Sequence, residues 1–223
     1  MEPETAPAYV RRAGTGRLPG GRRVTWTVAD GSRGRRWRAI TTSGDRLLHV
    51  VLLEAAGGGS LARVEVAGPD GLLTLHPEPD LSMLHGNVVR PEGVEHVALP
   101  WSPEHVLMVG ASPVTAAVAV VRLAARIGVG EGASIPVVEV GDTLVIRRAT
   151  WRVARTGEHR WRLLAADGGS SVLLETDADG MPTGLLDLAG WPLELAPAGR
   201  GGPVVDGVWT SSGRAPNHPA TRG

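Results

Sequence analysis

Thr25-Trp26-Thr27-Val28-Ala29 is answered, 125 residues further on, by Thr150-Trp151-Arg152-Val153-Ala154. The matches continue outward in the same order. Arg36-Trp37-Arg38 returns as Arg160-Trp161-Arg162 at an offset of 124, Val51-Leu52-Leu53-Glu54 as Val172-Leu173-Leu174-Glu175 at 121, and Ala67-Gly68 as Ala189-Gly190 at 122. Four matches at nearly constant offset read as a duplication of one unit. Each unit is a run of short Val-, Leu- and Trp-bearing strands. A small meander leaves one face unburied and its edges open, so the two copies are expected to join in one curved antiparallel sheet or half-barrel.

Around these anchors, β-branched or Leu-rich runs recur between Gly, Asp and Pro, from Arg22 to Val109 and again from Val137 to Leu195, including Thr143 to Arg148, Trp151 to Arg155 and Trp191 to Leu195. The fold class expected is mainly β (α+β). One helix interrupts the strands. Ser112 stands as its N-cap, Pro113 at its first position and Gly128 as a left-handed stop. Thr115, Arg122 and Arg126 share one stripe, while Val, Ala, Leu and Ile cover the rest, so the helix is expected to pack on the concave face of the sheet. The layout is a disordered leader (1–20), a single duplicated domain (21–196) and a flexible tail (197–223). The domain divides into repeat one (22–68), intervening strands and helix (69–135) and repeat two (136–196).

The chain has 223 residues, 23 basic and 23 acidic side chains, no Cys and no Phe. Every basic residue is Arg. Without Cys or Lys, disulfides, thiolate metal sites, cysteine nucleophiles, Schiff bases and the lysine of a P-loop are excluded. Nine Arg lie in the first 38 positions, but those beside Trp and Val alternate along strands, so no nucleic-acid partner is expected. The apolar stretch Val114 to Ile127 is too short to span a membrane, and no signal-peptide core is present. A cytoplasmic protein without a transmembrane segment is expected. Its oligomeric state is not read from the sequence.

Ser112-Pro113-x-Thr115, then Arg122-Leu123, then Val129-Gly130-Glu131 is similar to the S-P-x-T-N-T-L-P-I-R-R-L … V-G-E segment of a bacterial family of glycolipid-binding proteins. Ala116 and Ala119 replace that family's Asn and second Pro. The resemblance implies a duplicated β-rich fold with one helix, loosely similar to lipoprotein carriers, and a lipid-like or glycolipid small molecule as ligand.

Head-group contacts are assigned to Arg38, His85, Asn87, Arg90, Trp101 and His105. His85 and Asn87 share a face if Leu84 to Val88 is a strand; the alternative is a turn at Gly86. Arg38 sits beside Trp37 as Arg162 sits beside Trp161, and a guanidinium can clamp phosphate or carboxylate. No metal, cofactor or catalytic residue is expected. The rival readings are a protein-interaction module and a small hydrolase or isomerase using the His/Glu cluster in 76–105, which needs His85, His96, His105, Glu95 and Glu104 to converge. Glu54 and Glu175 form a second candidate carboxylate pair. Trp26, Trp37, Trp151 and Trp161 alternate with polar residues and are expected chiefly in the core.

Overall fold

The computed structural model describes residues 11–185 except 57, 58, 111, 167, 169 and 170. Eight strands form an antiparallel sheet in chain order: β1 (Arg11–Arg17), β2 (Arg22–Gly31), β3 (Gly34–Ser43), β4 (Arg46–Ala55), β5 (Leu61–Gly68), β6 (Gly71–Pro77), β7 (Met83–Arg90) and β8 (Gly93–Pro100). Alternation decides the buried face. Val24, Trp26 and Val28 point inward from β2, Trp37 and Ala39 from β3, Val51 and Leu53 from β4, and their neighbours point out. Gly86 continues β7 without a turn, so His85 and Asn87 share the outer face.

The disordered leader is corrected at Arg11–Arg17, which forms β1. Its Gly14 and Gly16 are buried opposite Trp26 and Val24. Glycine has weak strand preference, but here the ladder along β2 fixes the segment and overrides that preference. Residues 1–10, the matched Ala189-Gly190, the expected strand Trp191 to Leu195 and the tail 197–223 lie outside the described residues.

The second sheet has the order β14 (Pro182–Leu185), β13 (Ser171–Thr176), β12 (Arg160–Ala165), β11 (Ile146–Gly157), β10 (Gly132–Val140), β9 (Val106–Val109). One pair, β9 with β10, is parallel. A parallel pair needs a crossover, and α1 (Pro113–Leu123) supplies it. The helix stops four residues before the expected Ile127. Arg126 and Ile127 N–H both turn back to the Leu123 carbonyl. Thr143 to Arg148 is not a separate strand, because Gly141–Val145 turns the chain and β11 runs unbroken from Ile146.

The second sheet curls round α1 as a half-barrel. Trp151, Val153, Trp161, Leu163, Val172 and Leu174 from its inner face form one core with Ala116, Ala117, Val120 and Leu123 of the helix. The other face of β9 and β10, through Leu107, Val109, Val138 and Val140, joins the core of the first sheet. All four repeat tryptophans are buried. The matched stretches occupy β2 and β11, β3 and β12, β4 and β13. Trp37 pairs with Leu53 across β3–β4, and Trp161 pairs with Leu174 across β12–β13.

Candidate ligand site

Two hollows meet where the first sheet faces α1. The larger, about 470 Å³, is an apolar slot walled by Trp37, Ala55, Ala56, Val118 and Val121, with Asp30, Arg35 and Asp179 at its rim. Its neighbour, about 410 Å³, is lined by Ser32, Arg33, Arg35, Arg36 and Glu54. They share Asp30, Gly31, Gly34, Arg35 and Ala55. Both volumes fall in the range of small-molecule sites, roughly 300–1,000 Å³.

Local structure explains the slot. Trp37 and Ala55 are inward residues of β3 and β4. Val118 and Val121 lie on the side of α1 turned away from the half-barrel core, and Val121 stays 41% exposed. The loop after β13 closes one side. Arg12 binds both Asp177 and Asp179, and Arg35 donates to the Asp179 carbonyl at 2.9 Å and to Asp30 at 2.6 and 3.1 Å. The concave face of the second sheet is filled by α1 itself. The free apolar space is on the opposite side of that helix.

The six head-group residues named from the sequence are not at this slot. Arg38 is exposed on the outer face of β3. His85 faces Glu78 at 3.1 Å, and Asn87 bonds His96 at 2.6 Å, all on the outer side of the first sheet. Arg90 donates to the backbone carbonyls of Asp70 and Thr143. Trp101 is buried between the sheets and stacks on His105 at 5.4 Å, whose Nδ1 meets the Ser102 hydroxyl at 2.9 Å. Strand alternation carries His85 and Asn87 away from the core, and Trp101 and His105 follow the chain as it leaves β8.

The His/Glu cluster is likewise dispersed. His85 and His96 have separate partners on the outer face, His105 lies at the sheet junction, and Glu104 reaches Arg126 at 3.6 Å. Among the described residues no three His, Asp or Glu side chains gather as a metal ion would require. Glu54 and Glu175 lie in different sheets, each in a cross-strand ion pair, with Arg36 at 2.5 Å and Arg160 at 3.3 Å.

A third hollow, about 380 Å³, opens where the β10–β11 turn meets the first sheet and is lined by Arg22, Glu139, Asp142, Arg147 and Trp151. Glu139 is buried and accepts hydrogen bonds from Arg147 and the Trp151 indole. Beside it His49 is 4% exposed, and neither ring nitrogen has a hydrogen-bond partner among the described residues. Asp142 lies 3.8 Å from its Nδ1 and binds Arg22 at 3.1 Å. Burial pushes the His49 pKa below the ordinary imidazole value; the Asp142 carboxylate opposes that shift and Arg22 adds to it.

No family model matches this chain. No curated protein matches it either. A crystal structure of a DUF1089 family protein from Pseudomonas aeruginosa is similar to it, with a TM-score of 0.49 and 16% identity over 81% of this chain and 90% of that one. No helix of the described residues is long and apolar enough to cross a membrane.

Sequence reasoning passed over Arg33, Arg35, Val118, Val121 and His49. For His49 the signal was available: it shares strand parity with Val51 and Leu53, which placed it inward. For the slot there was none, because its walls come from β3, β4 and α1, some 80 residues apart in the chain.

Proposed function

We propose that the protein is a cytoplasmic, non-catalytic binding protein for a lipid-like amphiphile, with a glycolipid as the ligand that the resemblance around α1 implies. The observation that carries this reading is the apolar slot between Trp37 and Val121, continuous with a hollow lined by charged side chains. An acyl chain laid against Trp37, Ala55 and Val118 leaves water for apolar surface, worth about 25 cal/mol per Å² buried. The polar end stays at the rim, where Arg35 and Asp30 supply donors and acceptors.

The test is native mass spectrometry of the purified protein, before and after incubation with lipid extracts, followed by solvent extraction of any bound mass. A stoichiometric lipid is the expected result. Val121→Glu places a carboxylate on a half-exposed helical position at the slot wall, and it should abolish that adduct while far-ultraviolet circular dichroism stays unchanged. A bare mass under every condition overturns the reading.

A further inference from the structure

The charges around the two joined hollows are not evenly matched. Asp30 is held by the Arg35 guanidinium through Nε and Nη2, and Glu54 by Arg36. Asp179, at the far rim, is held by Arg12. Arg33 lines the same hollow and has no hydrogen bond or ion pair among the described residues. Its guanidinium is the cation left over once every carboxylate at the rim has its partner.

The position of Arg33 is also fixed by the backbone. Gly31 pairs with Gly34, so Ser32 and Arg33 form the tip of the β2–β3 hairpin. Gly34 has φ +119°, a conformation glycine tolerates and other residues rarely adopt, and a Cβ there would collide with the Ala55 carbonyl oxygen. Strand β3 therefore starts hard against the end of β4, beside Ala55, one of the five residues that the slot and the hollow share. The exposed tip that precedes it carries Ser32 and Arg33, which line the hollow at the polar end of the apolar slot. Guanidinium groups match phosphate and carboxylate oxygens in geometry as well as charge.

We infer that the ligand of this slot is an anionic amphiphile whose acidic head group, phosphate or carboxylate, is held by Arg33 at the β2–β3 hairpin tip. This rests on the binding reading above and adds the head-group class to it. The chain lies along Trp37, Val118 and Val121; the anion sits among Arg33, Ser32 and Arg36. Neutral and cationic head groups lose the Arg33 contact and bind more weakly.

The experiment is isothermal titration calorimetry of the full chain with dodecyl phosphate, dodecyl maltoside and inorganic phosphate, each amphiphile below its micellar concentration. Dodecyl phosphate is expected to bind roughly tenfold more tightly than the maltoside, the size of effect one charge-assisted hydrogen bond gives. Raising the salt concentration should narrow that preference, because the hairpin tip is exposed. Arg33→Gln should bring the phosphate down to the maltoside's level, and inorganic phosphate alone should give no heat. If phosphate and maltoside bind alike, or Arg33→Gln keeps the preference, the head-group inference fails and the slot reading stands. If neither amphiphile binds, the slot reading itself fails. If inorganic phosphate binds as tightly as dodecyl phosphate, the site is an anion site without a chain-binding slot, and both readings fall.

Discussion

Trp37 stands directly across the β3–β4 ladder from Leu53, and both side chains are all but inaccessible to water. In the second sheet Trp161 and Leu174 make the same pair, at the positions that the sequence matches as equivalents. A duplication predicts equal costs when either pair is broken. Leu53→Ala and Leu174→Ala should each lower stability by about 2–5 kcal/mol, the usual range for a large aliphatic side chain removed from a packed core. Since Leu53 belongs to the core of the first sheet and Leu174 to that of the half-barrel, the double variant should lose the sum of the two. Urea denaturation of the three variants checks this. A difference of several kcal/mol between the single variants would count against equivalent roles.

Arg155 joins three things at the lip of the half-barrel. Its guanidinium donates to the Ala124 and Ile127 carbonyls beyond the end of α1, both at 3.3 Å, lies 5.3 Å over the Trp161 ring, and reaches the Glu158 carbonyl at 2.8 Å. A cation at the C-terminal end of a helix satisfies orphan carbonyls and opposes the helix dipole. Arg155→Ala should therefore cost about 1–3 kcal/mol, summing a few weak interactions. Arg155→Lys, which keeps the charge but lacks the planar fork, should fall between. The helical signal in circular dichroism should melt at lower temperature in both. No change in the alanine variant would mean that these bonds contribute nothing net.

How much of this was written in the sequence differs by element. Trp26, Trp37, Trp151 and Trp161 declared their burial through alternation, and the helix declared its start through Ser112-Pro113. What alternation reports is which face of a strand is buried, not which strand lies beside it. The division into two sheets was therefore hidden. The chain leaves β8 at Pro100, buries Trp101, and starts β9 parallel to a strand still to come. Strand β1 was hidden for another reason: Gly14 and Gly16 are poor strand formers that fit because they lie opposite Trp26 and Val24. The helix promised a concave partner and found one in the second sheet, while the space for a ligand arose on its other side, from packing no local pattern encodes.

Gly34 and Gly44 both have positive φ, +119° and +57°, yet only Gly34 has backbone close behind it. Alanine at Gly44 should cost about 1 kcal/mol, from the left-handed conformation alone. At Gly34 the same substitution adds a collision with the Ala55 carbonyl and the Ala56 backbone, so the loss should be about 2–4 kcal/mol. Urea midpoints of the two variants make the comparison. Equal losses would mean that Gly34 does not lie against the end of β4.

His49 ties stability to pH. In the unfolded chain its imidazole has a pKa of about 6.5. In the folded protein burial lowers that value, against the pull of Asp142 at 3.8 Å and with the push of Arg22. The unfolded state thus takes up the proton first as pH falls. Stability from this group is fully present above about pH 6.5 and declines below it, until the folded-state pKa is passed. Between pH 7.5 and 5.5 the urea midpoint of the wild type should fall. His105, also lowered by desolvation, contributes in the same direction. His49→Met removes the titration and two buried nitrogens that lack partners, so it should flatten most of the pH dependence. At pH 5.5 it should also be more stable than the wild type, because an unsatisfied buried polar group costs about 1–3 kcal/mol. A variant whose midpoint falls with pH as steeply as the wild type's would show that the acid sensitivity arises elsewhere.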